Sequence, residues 1–369
     1  MVRLHYIDNL RWMTILLLFP FHAAAIFCAE WYGYYVSSGD SSMAAHLLLV
    51  TSEPWIMPLL FCIAGLSTRY ALHKRSPRAY LEERVRKLLI PFLAGLVLIC
   101  PVIAYYALKF HTGYTGSFAG AFVHYFTSIR YSPGINGIMG NFSVDHLWFI
   151  AFLFIFSVAA IGLIILGRRL PQVHFSHGNV PLPVLCLLFI PLWFLNLVGY
   201  HVTRYSILAY FAMFLIGYYL LACDPVQATL EKYWSVLLAA WVVLVIGVTW
   251  TYGILMGHDE VFWGYSPLFV LTGWIAVLAF MGTGRHLLDR SNTFATYMNS
   301  ASYPVYIIHQ PVMVAIAYYV LMLAIPQALQ YAAIVIGSIL LTFTCYEILR
   351  RIPGVRVLFG IVGPEKRTA

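Results

Sequence analysis

Charge is scarce in this 369-residue chain: Asp, Glu, Lys and Arg together make up 10% of it, while 62% is apolar. Soluble domains carry about 25% charged residues, so the shortage excludes an ordinary water-soluble globule. The short alternating segments that build a membrane barrel are also missing, because the apolar runs are long and continuous. None of the six cysteines (Cys28, Cys62, Cys100, Cys186, Cys223, Cys345) forms a C-x-x-C pair, and all lie in or beside apolar runs. They read as small hydrophobes, which argues against a zinc or disulfide framework. There is no internal repeat and no low-complexity tract. In lipid the backbone must satisfy its own polar groups, and helices are the solution left. The expected fold class is therefore all-α, a polytopic integral membrane helix bundle forming one domain over 1–369 with no appended soluble domain.

What is abundant is helix-length apolar sequence. About ten runs approach the roughly 20 residues needed to span a bilayer: 10–29, 53–71, 88–108, 147–167, 182–199, 205–222, 233–255, 263–283, 303–324 and 328–349. Arg3, the first run and Ala23 to Ala25 resemble a secretory leader with a small-residue cleavage site, but the run is read as the first span. An even number of spans puts both termini on one side. All but three of the 22 Lys and Arg fall on that side, the exceptions being Lys109, Arg130 and Arg204. By the positive-inside bias it is the cytoplasm. The same asymmetry accounts for the net charge of +8, so a nucleic-acid partner is not expected. The long outer loop 109–146 is rich in aromatics (Tyr114, Phe118, Phe122, Tyr125, Phe126, Tyr131). An interfacial belt and a platform for a sugar ring explain them equally well.

His22 interrupts the first run near its middle. Arg11 precedes it by eleven residues, about three helical turns and roughly 16 Å, so the two share a face. Arg11 then sits at the cytoplasmic rim, within reach of Asp8, and His22 near the midplane. Asp8 is too far along the helix to orient the ring, so any orienting partner must come from another helix. Pro20 can kink the helix just before His22. An ionisable residue at bilayer depth is a functional candidate by default; the competing reading is a core histidine bonded to a neighbouring helix. The ninth run carries a second one. Ser302, Tyr306 and His309 follow i, i+4, i+7 spacing, and structural inter-helix bonds compete with function for Tyr303 and Tyr306. Glu53, Asp145 and His146, at the outer starts of spans, read as helix-end and interface residues. At the cytoplasmic mouth of the third run, RVRKLLIP places Arg84 and Lys87 on one face and Arg86 on another. These are either positive-inside anchors or a phosphate-binding fork.

Taken together, these segments resemble acyltransferase family 3 of membrane O-acyltransferases. YIDNLRWMTILLLFPFHA resembles the family signature of Arg, ten residues, then His. EPWIMPLLFCIAGL resembles the second-helix motif, with Ala64-Gly65 where Ser-Gly is usual. RVRKLLIP resembles the R-x-x-R motif, with Lys87 in place of the second arginine. HLWFI (146–150) and SYPVYIIHQPV (302–312) match two further patterns, and YEILRRIPGVRVLFG (346–360) matches the subgroup that includes the glucan biosynthesis protein C type. The resemblance implies a multi-pass protein of the bacterial inner membrane. It implies transfer of an acyl group, acetyl or succinyl, from cytoplasmic acyl-CoA to a hydroxyl of an extracytoplasmic carbohydrate. His22 would be catalytic, Arg11, Arg84, Arg86 and Lys87 would hold the donor, and no metal is implied. On that reading His22 acts as a general base, with Tyr303, Tyr306 or His309 as oxyanion donors; a covalent acyl-histidine is the rival route. Two other classes stay open at this point. One is a secondary transporter or flippase, although the prolines cluster in the first three spans with no matching second half. The other is a haem- or quinone-binding redox protein with His22 and His309 as axial ligands.

Overall fold

The computed structural model describes residues 4–28, 34–130, 137–167, 180–200, 206–251 and 266–361. Arg3, Tyr131 and Arg204, named above, lie outside them, as do Arg168, Arg169, Lys366 and Arg367 from the Lys and Arg count. Every regular element among the described residues is helical. In chain order they begin with α1 (His5–Ile26), α2 (Met43–Lys74) and α3 (Pro77–Arg84), which runs through a π turn at Val85–Leu89 into α4 (Ile90–Leu98) and α5 (Cys100–Thr112). Next come α6 (Phe118–Thr127), a 3-10 turn at Asp145–Leu147 leading into α7 (Trp148–Gly167), then α8 (Leu182–Leu187) and α9 (Phe189–Tyr200). The series continues with α10 (Ile207–Ile216) and its π turn at Gly217–Leu221, α11 (Asp224–Lys232) and α12 (Trp234–Val248). It ends with α13 (Pro267–Leu287), α14 (Thr293–Val320), α15 (Gln327–Leu349) and α16 (Val355–Leu358).

The protein is an all-α polytopic membrane protein. Eight helical runs among the described residues are long and apolar enough to cross a bilayer, and the count reaches nine where the pair Ile207–Leu221 and Asp224–Lys232, bent by 95°, is taken as one span. The ninth expected run, 303–324, is the one that falls short. It lies in α14, a 28-residue helix whose interior carries Ser302, His309 and Gln310, all buried. Those polar groups lower its hydropathy because they face protein rather than lipid. Boundaries also move. α2 starts at Met43 instead of 53, and the third run opens at Pro77 rather than 88. Helix continues past the apolar stretch on residues of good helix propensity, which an apolarity count does not see. The six cysteines are free thiols.

The chain divides into two compact units interleaved along the sequence. The first comprises 1–14, 47–82 and 152–296. It is built by close backbone approach, the usual device where lipid gives helices no hydrophobic reason to associate. A Cβ on Gly65 of α2 would collide with the Phe214 carbonyl oxygen, and one on Gly217 with the Cys62 carbonyl oxygen. The two glycines thus let α2 and the α10 segment meet backbone to backbone. Gly273 of α13 sits equally close to the Pro54 carbonyl, whose helical donor is missing because Pro58 has no amide hydrogen. Polar bonds close the end of this unit where α1 begins. Tyr6 Oη and Arg285 Nη1 both donate to Gln227 Oε1 (3.0 and 2.9 Å), Arg285 pairs with Glu231 (2.8 Å), and Asn9 Nδ2 caps the end of α13 by donating to the Leu288 carbonyl (2.7 Å).

The second unit comprises 15–46, 83–151 and 297–369. The loop before α7 packs on α4 and α5 through two glycines: a Cβ on Gly95 would strike Leu147 at 2.5 Å, and one on Gly140 the Ala104 carbonyl at 2.8 Å. Gly140 also has φ +81, a conformation that only glycine adopts freely. α14 is the central element, buried almost continuously from Met298 to Ala317. Gly65→Leu is expected to cost roughly 1–3 kcal/mol by overpacking, read as a lower unfolding temperature in detergent than for Gly162→Leu, where a Cβ meets nothing within 4 Å.

Candidate active site

The site starts from a missing hydrogen. Pro311 has no backbone N–H, so the Ile307 carbonyl four residues earlier in α14 has no helical donor. His146, in the turn that opens α7, supplies one through Nε2 at 2.9 Å. A carbonyl oxygen only accepts, so Nε2 carries the hydrogen and Nδ1 keeps its lone pair. That Nδ1 is buried and has no partner. His309 is set the same way. Its Nδ1 lies 2.6 Å from the Tyr306 carbonyl, which leaves Nε2 bare, buried and unpartnered. The Tyr306 hydroxyl donates back to the His146 carbonyl. The turn and α14 are thus clamped in both directions.

His22 of α1 joins this pair. Its ring lies 5.4 Å from that of His309, centre to centre, and His309 lies 5.3 Å from His146 at a nearly perpendicular 84°. The Nδ1 of His22 is also buried without a partner. Tyr34 stacks over His22 at 6.3 Å and 26°, and its hydroxyl accepts from Gln310 Nε2 at 2.6 Å. The Gln310 Oε1 is again buried and unpartnered. Phe19 presents an edge contact to His309 at 5.6 Å. Three imidazoles therefore meet, each with a buried nitrogen that no protein group occupies.

On the outer side a carboxylate fixes the His146 turn. Asp145 has φ +44, uncommon for a non-glycine residue but tolerated by aspartate. Its buried carboxylate accepts from Tyr35 Oη at 2.9 Å, and its amide donates to Ser143 Oγ at 3.0 Å. Tyr125 of α6 donates to the Ser143 carbonyl at 2.7 Å, and His111 of α5 holds the Tyr34 carbonyl at 3.0 Å. Burial pushes the Tyr34 and Tyr125 phenols well above their ordinary value, so both stay neutral. α6 thus gives the aromatic loop a structural job: Tyr125 is fully buried while Phe118 faces outward.

The remaining residues singled out from the sequence are dispersed. Tyr303 stands six residues before His309. Its hydroxyl is buried without a partner, and its ring packs on Gly360, beside Pro91. Arg84 and Lys87 do share a face, and both reach Glu83 (3.6 and 2.7 Å), while Arg86 is exposed. Arg84 immediately precedes the π turn Val85–Leu89, and Arg86 and Lys87 lie within it, a form found often at functional sites. Arg11 belongs to the first unit, where it pairs with Asp8 at 3.1 Å and donates to Ser67 at 2.9 Å. Sequence reading missed four participants. His146 was taken for a helix-end residue, although Pro311 already marks Ile307 as a carbonyl in need of a donor. Tyr34 and Gln310 carried no signal beyond their type. Glu83 stood next to Arg84 and went uncounted in the basic cluster. Among the described residues no set of three or more His, Cys, Asp or Glu is disposed to hold a metal ion.

Fold and site define an integral membrane protein with a buried histidine centre. A family model described as an acyltransferase domain matches residues 4–347. The chain belongs to acyltransferase family 3 and is a membrane acyltransferase. Neither the curated proteins nor the solved structures give a match. Pro311→Ala is expected to return a helical donor to Ile307, displace His146 and lower acyl transfer about tenfold, the loss of roughly 1.4 kcal/mol of transition-state stabilisation, with no fall in unfolding temperature. Unchanged transfer at equal protein level would remove the clamp from the site.

Proposed function

We propose that the protein moves an acyl group, acetyl or succinyl, from cytoplasmic acyl-CoA to a hydroxyl of an extracytoplasmic carbohydrate, working in the inner membrane of a bacterium. The observation that carries this reading is the meeting of His22, His309 and His146 with three bare, buried nitrogens. A neutral imidazole with a free lone pair is the group needed to take a proton from an alcohol. In the proposed step His22 removes the acceptor hydroxyl proton as general base. The oxygen attacks the thioester carbonyl, the C–S bond breaks, and the proton passes to the departing CoA thiolate. His309, whose ring lies 5.4 Å from that of His22, has a bare Nε2 that can accept from the imidazolium and steady the transient charge. Of the three candidate oxyanion donors, Tyr306 spends its hydroxyl on His146 and neutral His309 has no hydrogen at Nε2; the Tyr303 hydroxyl is uncommitted but stands apart from the three rings, against Gly360.

The donor end is supported by chemistry more than by shape. CoA is polyanionic, and Arg84 and Lys87 offer a fork now shared by Glu83. On this reading a bound phosphate competes with the Glu83 carboxylate for the two cations, and the exposed Arg86 adds charge beside them. Membership of an acyltransferase family favours this reading over the transporter and redox alternatives.

Two measurements test it. In inverted vesicles given acyl-labelled acetyl-CoA or succinyl-CoA, wild-type protein is expected to label lumenal glycan and His22→Ala to lose the label at equal protein level. Persisting label in the variant would exclude His22 as the base. Arg84→Ala is expected to weaken acyl-CoA binding at least tenfold by calorimetry, about 1.4 kcal/mol, while leaving the unfolding temperature within a few degrees; equal affinity would take Arg84 out of the donor site.

A further inference from the structure

The first unit holds a cavity of about 340 Å³ that the acyl-transfer reading does not use. It sits where α2 ends, on the side that the charge bias assigns to the cytoplasm. One part of its wall is cationic, with Arg69, His73 and Arg75. Another part is apolar, with Leu72 of α2 and Ile161 and Ile164 of α7. Ser76 and Pro77 line it as well. They open α3, Ser76 Oγ capping the helix by accepting from the Ala79 amide at 3.3 Å. The positive end of the α3 dipole therefore adds to the cationic wall.

Arg69 gives the cavity its chemical sense. It is half-buried, its Nη1 donates to the Tyr218 carbonyl at 3.4 Å, and its guanidinium lies 5.9 Å from the Tyr218 ring centre. These contacts hold the group in place. Neither supplies a negative charge, and no carboxylate among the described residues pairs with it. A held, half-buried cation without an anion is poised for an anionic ligand. Depth identifies which kind. α2 has 32 residues, about 48 Å of helix, against roughly 30 Å of hydrocarbon, so its last turns stand at headgroup level. A wall that is apolar on one side and cationic on the other matches an amphiphile at that level.

We propose that this cavity binds an anionic phospholipid from the cytoplasmic leaflet. Its phosphate pairs with Arg69 and Arg75 at the N-terminus of α3, and an acyl chain lies along Leu72, Ile161 and Ile164. A free phosphate ester would use the cations and leave the apolar wall idle, which is why the lipid is the ligand assigned. The inference is independent of the donor and acceptor assigned above.

The test is lipid binding by the purified full chain in phosphatidylcholine nanodiscs or detergent, followed by native mass spectrometry. Phosphatidylglycerol, phosphatidylcholine with the same acyl chains, and soluble glycerol phosphate are the three probes. Wild type is expected to prefer phosphatidylglycerol over phosphatidylcholine at least tenfold and to bind glycerol phosphate far more weakly. Arg69→Gln with Arg75→Gln is expected to lose most of that preference. Arg75 is exposed, so Arg75→Gln alone keeps the fold and should reduce the preference at least threefold even where the double variant is unstable. Arg351→Gln, an exposed basic residue that does not line the cavity, should leave it intact. A preference unchanged by Arg75→Gln, equal loss in Arg351→Gln, or glycerol phosphate binding as tightly as the lipid would each overturn the assignment.

Discussion

The hydrogen bond from His146 to the Ile307 carbonyl is the contact on which the site depends. It exists because Pro311 withholds a donor and because lipid offers no water to replace it. An unmet carbonyl at that depth costs on the order of 1–3 kcal/mol, so the fold gains by bringing a side-chain donor to it. The donor it brings is an imidazole, and the choice has a chemical consequence. Once Nε2 is committed, the ring's other nitrogen must be the bare one. The same logic applies to His309 and the Tyr306 carbonyl. A backbone defect in one helix thereby sets the tautomer of His146, and a second carbonyl of the same helix sets that of His309.

Both units combine close glycine contacts with directed polar bonds, and each device has its own use. In the first, glycines remove Cβ atoms so that backbones touch, and the gain is dispersion over a close interface. In the second, tyrosine hydroxyls and a strained aspartate tie loops to helices: Tyr35 to Asp145, Tyr125 to Ser143, Tyr306 to His146. Close packing suits a scaffold, since it depends on shape alone. A directed network suits a site, since each bond also fixes which atoms stay free. Gly65 illustrates the point for the motif in which alanine stands where serine is usual. The glycine is demanded by contact with Phe214, and Ala64 beside it only has to be small.

Much of this was legible in the sequence. Lipid as solvent, helices as the fold and the sidedness of charge follow from composition alone. His22 and His309 stood out because a charged or titratable group at bilayer depth is costly. His146 did not stand out, because it lies at a helix start, where polar residues are ordinary. Its partner is 161 residues away, and single-sequence reasoning has no term for such distance. Tyr34 and Gln310 were hidden for the same reason. The count of spans fell short at α14 because hydropathy measures what lipid would tolerate, whereas α14 is surrounded by protein. The second arginine-motif position shows a subtler limit: charge counting sees Arg84 and Lys87 but not that Glu83 lies between them and cancels part of their field.

The arrangement of bare nitrogens also constrains what chemistry the site can favour on the proposed route. A cluster in which His146 and His309 are set to present lone pairs is prepared to receive a proton and poorly prepared to give one. Attack by an alcohol requires a proton acceptor first; departure of a thiolate requires almost no help, because a thiol is acidic enough to leave as its anion. A thioester donor therefore matches a site of acceptors better than an oxygen ester would, since an alkoxide leaving group needs a general acid.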